Sequence, residues 1–315
     1  MSTEQRLRAV MVSASEPRRR TTRMRVLRVA IALALAAALG GYYVGIPALR
    51  VWQATRVPNL LRPEGPPSAA PAGYHEVAFT TSDGLTLRGW YRPSESGAAV
   101  VLTHGYALGR EHLLPQADIL ATAGFGVLTY DLRAHGASDG TVCTRGWLET
   151  EDVLAAVAFL AAQPDVDPAR IGAFGFSIGG QATLRAAARS DAIRAVVADG
   201  PVAGVYADEP RAQGVREQID APAKRVYYAV LGVMPGAEPP PPLVVELRGL
   251  APRPLLLIAA GGGLEQRQAQ RYVDAAGDTA SIWEIPEAGH GGGLASRPEE
   301  YGRRLTEHFR AGLRP

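Results

Sequence analysis

Residues 170–181 of this 315-residue chain read RIGAFGFSIGGQ, and the fold depends on how this stretch is interpreted. A short apolar run ends at Phe176, one serine stands among glycines, and a helical pattern then begins. The hydroxyl of Ser177 gains nothing from packing at such a place. Isolated G-x-S-x-G matches are most often turn residues, so the pattern on either side has to decide.

The sequence on both sides alternates short apolar runs with amphipathic helical segments. The apolar runs are AAVVLTHG, GVLTYD, RIGAFGF, IRAVVADG, PRPLLLIAAG and ASIWEIPEAG. Buried strands that alternate with helices predict an α/β fold, with a mainly parallel sheet and helices on both faces. Before them, HEVAFTTSDGLTLRGWYRP predicts a two-stranded hairpin with its turn at residues 82–84. We therefore predict one globular domain over residues 74–315.

One segment of that domain interrupts the alternation. Residues 201–252 lie between two predicted strands and are far longer than an ordinary connection of a few residues. This length favours a lid-like insertion that serves function, and a surface loop without a role is the alternative.

The N-terminal 73 residues differ in composition from the rest. Eight arginines and two glutamates give residues 1–28 a net charge of +6, and the 21 residues 29–49 carry no charge. At ~1.5 Å per residue, a helix of that length spans a hydrocarbon core of roughly 30 Å. We predict a basic cytoplasmic tail (1–28), one transmembrane anchor (29–49) and a linker (50–73), with the domain on the extracytoplasmic side. A cleaved signal peptide is the alternative, although AAALGGYY offers no good cleavage site.

Charge and composition exclude several functional classes. The whole chain has a formal net charge of +2, so residues 29–315 sum to −4 and present no basic patch for nucleic acid. The single cysteine, Cys143, excludes an internal disulfide. No metal-binding or nucleotide-binding motif occurs, so we expect neither a metal nor an organic cofactor.

Chemically useful side chains follow the predicted strands at the points where the strands end. In an open α/β sheet, ligands bind beyond the carboxyl ends of the strands, so these side chains should meet at one rim. Ser177 needs a neighbouring base to become a nucleophile, and His290 is the only histidine after a strand in the last sixth of the chain. The residues at the strand ends are His104, Ser177, Asp199, Glu265 and His290.

Four motifs together resemble the α/β-hydrolase family over residues 74–315. They are THG at 103–105, YDLRAHGAS at 130–138, GFSIG at 175–179 and GH at 289–290. The resemblance implies Ser177 as the nucleophile on a strand–turn–helix elbow and His290 as its base. It also implies an oxyanion hole formed by the backbone N–H groups of Tyr106 and Ile178. His104 and His135 usually support loops in this family.

The acid is the one element that departs from the family pattern. The family usually places an aspartate soon after the penultimate strand, where this chain reads LLLIAAGGGLEQRQ and Gly263 stands near the expected position. Glu265 is two residues further on, and its extra methylene could reach the imidazole of His290. Asp199 is the alternative acid, because some members carry the acid one strand earlier. A helix-start carboxylate without a catalytic role is the third interpretation of Glu265.

The resemblance favours a serine hydrolase that cleaves carboxylic esters through an acyl-enzyme on Ser177. Thioesters, lipid-like esters or peptides with a free amino end could use the same residues, and the fold does not choose among them. The expected partners are therefore a small-molecule or lipid-like ester and the membrane. The alternative is a catalytically silent binding or scaffold protein, and the missing aspartate is the observation that supports it.

Overall fold

The computed structural model describes residues 3–60, 69–233 and 237–315 of the chain. An eight-stranded sheet forms its centre, with the spatial order β1-β2-β4-β3-β5-β6-β7-β8. The strands β1 to β8 are His75–Thr80, Thr86–Arg92, Ala99–Thr103, Gly126–Tyr130, Ile171–Phe176, Ile193–Asp199, Leu255–Ala259 and Ala280–Glu284. β1 and β2 form the predicted antiparallel hairpin, and β2 is also antiparallel to β4. The six strands β3 to β8 run parallel to one another.

Helices cover both faces of the sheet, as the alternating pattern predicts. One apolar cluster joins the sheet to the fourth, fifth and eighth helices, and the other joins it to the third and tenth. β3, β4, β5 and β7 are buried along their whole length, because a parallel strand between two helical layers has no solvent face. The helices α1 to α10 are Thr3–Gly40, Ile46–Leu60, Leu114–Thr122, Glu149–Ala161, Ile178–Arg189, Gly214–Val233, Leu243–Glu246, Gly263–Ala276, Gly293–Ser296 and Pro298–Gly312.

The N-terminal helices α1 and α2 are joined without a break by one π-helical turn, Gly41–Gly45. Within them, Thr22–Arg56 contains an 18-residue window with a mean hydropathy of 2.0 and is long and apolar enough to cross a membrane, a property that a signal sequence shares. The predicted anchor, residues 29–49, lies inside this segment.

The predicted linker differs from the structure over its first part. Residues 50–60 continue helix α2, residues 61–68 lie outside the described residues, and only residues 69–73 are irregular in the described part. Val51 and Ala54 are buried, and Val51 packs with Trp147 and Leu231 of the domain. Apolar residues three positions apart lie on one helical face, so the helix gains burial by continuing along the domain.

Residues 201–252 form the insertion between β6 and β7. They contain α6 and α7, together with 3-10 turns at Tyr206–Asp208 and Leu247–Gly249. The base of the insertion is fixed by buried hydrogen bonds: Trp147 Nε1 donates to Gly204 O at 2.9 Å, and Asp208 accepts from the backbone N–H of Leu243 at 3.1 Å. Whether this segment acts as a lid remains a prediction.

Candidate active site

Ser177 stands on the sharp turn between β5 and α5. Its backbone has φ 56° and ψ −116°, a strained conformation for a residue with a side chain. A Cβ at Gly175 would overlap Gly179 O, and a Cβ at Gly179 would overlap the carbonyl oxygens of Thr103 and His104. The glycines on either side of the serine are therefore required, because the turn brings three backbone segments into contact. This is the geometry of the predicted nucleophile elbow.

His290 lies beside the serine and joins it to a carboxylate. Its Nε2 is 3.1 Å from Ser177 Oγ, and its Nδ1 is 2.6 Å from Glu265 Oε2. With Glu265 ionised, Nδ1 carries the proton and donates it to the carboxylate, which leaves Nε2 free to accept from the serine hydroxyl. The imidazole also packs against the ring of Phe176 at 5.0 Å between centroids.

Glu265 is held from its other oxygen by the backbone. Oε1 accepts from the N–H groups of Ala260 at 2.8 Å and Gly261 at 2.9 Å. The residue belongs to the first turn of α8, and its side chain reaches back over the end of β7. A glutamate in the first turn of the helix thus brings its carboxylate to the imidazole, although Gly263 stands where the family pattern has an aspartate.

The hydrogen bond from His290 to Glu265 raises the pKa of the imidazole above its ordinary value. Burial acts in the opposite direction, and the charges of Glu265 and Asp199 add to the increase. The charged form of the imidazole is therefore favoured at this position.

Asp199 lies at the end of β6 and contacts a different partner. Its Oδ2 accepts from the hydroxyl of Tyr301 at 2.8 Å, and its Oδ1 has no hydrogen-bond partner among the described residues. Burial is the main cause that raises the pKa of this carboxyl to about 7. Within the described part of the chain, the carboxylate that hydrogen-bonds His290 is Glu265, and Asp199 is a near neighbour.

The two predicted oxyanion donors belong to α5 and to the loop after β3. Ile178 is the first residue of α5, where an N–H group has no partner within the helix. Tyr106 lies in the loop after β3, and that loop is pressed against the elbow, since a Cβ at Gly105 would overlap the ring of Phe176. In the part of the chain that the structure describes, no acceptor takes a hydrogen bond from either amide.

Two buried histidines fix the loop that carries Tyr106. His104 Nδ1 donates to Gly105 O at 2.7 Å and its Nε2 accepts from Leu132 N at 3.0 Å. His135 Nε2 accepts from Ala107 N at 3.2 Å. Burial lowers the pKa of His104 far below its usual range, so the ring is neutral and serves as a bridge between loops. The family resemblance implied that these two histidines support loops, but it did not indicate the hydrogen bond to Ala107.

One contact near the site was not indicated by the sequence. The Tyr106 hydroxyl donates to Gln53 O of α2 at 3.0 Å, so the N-terminal helix touches the candidate oxyanion loop. Cys143 is buried, and its N–H donates to Thr55 O at 3.0 Å.

Among the described residues, no group of three or more His, Cys, Asp or Glu side chains could hold a metal ion.

The fold and the hydrogen-bonded series Ser177, His290 and Glu265 at the strand ends define an α/β-hydrolase, and the predicted fold class is confirmed. The family model described as X-Pro dipeptidyl-peptidase (S15 family) matches residues 57–239, more than half of the chain. The chain belongs to this family. The matched residues include Ser177 but end before Glu265 and His290.

Relatives of known name share part of the chain. A polyketide transferase of Stachybotrys chlorohalonatus is 40% identical over 130 residues, which are 40% of this chain and 44% of that protein. A thiohydrolase of Aspergillus aculeatus is 35% identical over 150 residues, 46% of this chain and 47% of that protein. The chain thus matches less than half the length of these two relatives. An esterase of Pyrococcus furiosus has a similar structure, with a TM-score of 0.64 and 27% identity over 80% of this chain and 97% of that one.

Proposed function

We propose that this chain is a serine hydrolase that cleaves carboxylic esters, including thioesters and lipid-like esters, through an acyl-enzyme on Ser177. The observation that carries the proposal is the pair of distances at His290: 3.1 Å from Nε2 to Ser177 Oγ and 2.6 Å from Nδ1 to Glu265 Oε2. A base within hydrogen-bond reach of the hydroxyl, itself oriented by a third group, is the arrangement that activates a serine.

The reaction follows from these positions. Ser177 Oγ attacks the carbonyl carbon while its proton passes to His290 Nε2, and the backbone N–H groups of Tyr106 and Ile178 hold the oxyanion. Glu265 stabilises the imidazolium. When the tetrahedral intermediate collapses, His290 gives the proton to the leaving alcohol or thiol. Water, with His290 as base, then attacks the acyl-enzyme, releases the carboxylic acid and regenerates Ser177.

Two relatives, one named an esterase and one named a thiohydrolase, support the substrate class. The Pyrococcus furiosus relative is named an esterase and the Aspergillus aculeatus relative a thiohydrolase. Both reactions are acyl transfers to water and need the same nucleophile, base and oxyanion donors. We extend this class to the present chain as oxyesters and thioesters.

We also propose that the N-terminal helix is retained as a single-pass anchor, with the catalytic domain on the extracytoplasmic side. The apolar segment Thr22–Arg56 and the arginine-rich residues before it support this orientation. The contact of α2 with the domain, through Val51 and Gln53, joins the end of this apolar segment to the domain. A mature protein whose N-terminus lies near residue 40 would contradict retention.

The activity is tested with the full-length protein in neutral detergent. p-Nitrophenyl acetate, butyrate and octanoate and S-butyrylthiocholine are compared between wild type, Ser177→Ala and the control Ser96→Ala, an exposed serine outside the site. We expect turnover and covalent fluorophosphonate labelling to require Ser177 and to be unchanged in the control. If wild type and Ser177→Ala are equally inert and unlabelled, the chain is the silent binding protein instead.

A further inference from the structure

A cavity of about 880 Å³ lies between the N-terminal helix and α6 of the insertion. Ile46 and Arg50 line it from α2, and Val215 and Ile219 line it from α6. Its remaining wall includes Arg145, from the loop before α4. The cavity therefore exists only because the helix after residue 45 is docked on the insertion.

Arg145 differs from the other arginines of the domain interior. The buried side chains of Arg110, Arg133, Arg185 and Arg253 each form an ion pair with a carboxylate. Arg145 is partly buried, and no carboxylate in the described residues lies within ion-pair distance of it. Its Nε is shielded from solvent and has no hydrogen-bond partner within the same residues. Its guanidinium lies 5.8 Å from the centre of the Tyr227 ring. A guanidinium that has no counter-ion and whose Nε is shielded from water is suited to an anion supplied by a ligand.

Cations predominate among the other charged residues that line the cavity. Arg50, Arg216 and Lys224 also line it, and the carboxylate among its lining residues is Asp220, which accepts a hydrogen bond from the Tyr42 hydroxyl. Lys224 is paired with Glu209 at 2.7 Å, outside the lining. The cavity is therefore electropositive, although residues 29–315 as a whole carry a net charge of −4.

The mouth of the cavity is apolar. Ile46 is 43% exposed, Ile219 49% and Val215 74%. These side chains lie where the candidate membrane-spanning helix meets α6, so an aliphatic chain could leave a bilayer and enter the cavity along them.

We propose that this cavity binds an anionic amphiphile from the membrane, with its phosphate or carboxylate on Arg145 and its aliphatic chain along Ile46, Val215 and Ile219. The Tyr106 hydroxyl donates to Gln53 O at 3.0 Å, next to the lining residue Ala54, so the cavity adjoins the loop that carries a proposed oxyanion donor. The proposal concerns binding and holds without turnover, so it is tested in the Ser177→Ala background as well as in wild type.

The probes are two photoactivatable lipids with the same diazirine-bearing oleoyl chain: 1-oleoyl-lysophosphatidate and monooleoylglycerol, which lacks the phosphate. Full-length protein in dodecyl maltoside is crosslinked over a range of probe concentrations, and labelled peptides are mapped by mass spectrometry. We expect half-saturation at a concentration lower by about tenfold or more for the lysophosphatidate, because a charge-assisted contact is added. The label should map to residues 42–56 or 214–233.

Substitutions identify the anion site. Arg145→Gln should remove the preference for the lysophosphatidate, Arg145→Lys should keep most of it, and the control Arg248→Gln, an exposed arginine outside the cavity, should leave it unchanged. Equal labelling by the two probes in the unmodified protein overturns the proposal without any variant, even if Arg145→Gln does not fold. An unchanged preference in a folded Arg145→Gln protein overturns it too. Displacement by inorganic phosphate at the same concentrations as by unlabelled lysophosphatidate would identify a free-anion site and refute the amphiphile.

Discussion

Replacing Glu265 by glutamine tests the assignment of the acid, and the structure gives the size of the effect. The glutamine side chain can keep its oxygen toward the N–H groups of Ala260 and Gly261, which Oε1 of the glutamate now accepts at 2.8 and 2.9 Å. In the opposite orientation the NH₂ group, itself a donor, would face two backbone N–H donors. Both hydrogen bonds would be lost, and each contributes about 1 kcal/mol. The NH₂ group therefore faces His290 Nδ1.

An NH₂ group at that place cannot accept the proton of Nδ1. The imidazole must then adopt the other tautomer, with the proton on Nε2 and no lone pair for the Ser177 hydroxyl. The comparable aspartate-to-asparagine change in a serine protease triad lowers kcat by about 10⁴ through the wrong tautomer, and we expect a loss of about 10³–10⁴ in kcat/KM here. This corresponds to about 4–5 kcal/mol of transition-state stabilisation.

The measurement is kcat/KM for p-nitrophenyl butyrate from pH 5.5 to 9, with Asp199→Asn as the matched control because Asp199 is a buried carboxylate on the neighbouring strand. The neutral imidazole is the active form and Glu265 raises its pKa, so wild-type activity should rise with pH through that pKa. The acidic limb of residual Glu265→Gln activity should move to lower pH. A loss of less than threefold in Glu265→Gln, or a larger loss in Asp199→Asn, would refute the assignment.

Three further predictions concern the support of the site. Asp199→Asn should flatten the pH dependence of stability: the folded-state pKa of about 7 lies above the unfolded value, so wild type loses stability as pH rises, and the variant should gain about 2–3 kcal/mol relative to wild type between pH 5 and 8 in chemical unfolding. Gly179→Ala should lower stability by about 1–3 kcal/mol and abolish labelling by fluorophosphonate, because the new Cβ overlaps the carbonyls of Thr103 and His104; an unchanged melting temperature would show that the loop yields. Tyr106→Phe should leave kcat within about threefold, since the proposed donor is a backbone N–H. The lost hydrogen bond to Gln53 O should lower the free energy of unfolding by about 1 kcal/mol. A hundredfold fall in kcat would instead show that the phenol takes a direct part in the reaction.

The sheet and the elbow were predictable because their signals are local. Each buried strand is a short apolar run bounded by turn residues, and Ser177 stands in a motif whose glycines are explained by contacts within a few ångströms. Helix α8 begins at Gly263, so Glu265 lies in its first turn, as a helix-start carboxylate would. Such features depend on period and turn chemistry, which a sequence displays directly.

The choice between Glu265 and Asp199 could not be made from the sequence. Both residues follow a strand of the same sheet, and the difference is whether a side chain reaches back over β7 to His290 or forward to Tyr301. The packing of α2 was missed for a related reason. The prolines and glycines after residue 57 are typical of a linker, and the apolar face of residues 51–55 acquires a partner only when the insertion is folded.

The docked helix α2 changes how far the active site can move. A flexible linker of 24 residues would give the domain a reach of roughly 25–30 Å, whereas the contacts of Val51, Gln53 and Thr55 hold the domain to the helix. In a bilayer, the rim that carries Ser177 would then keep one height and one tilt relative to the lipid surface. A fragment that begins at Tyr74 loses this helix, and with it one wall of the cavity and a support of the loop that carries Tyr106. Its kinetics would therefore describe a more open site than the one the full chain presents.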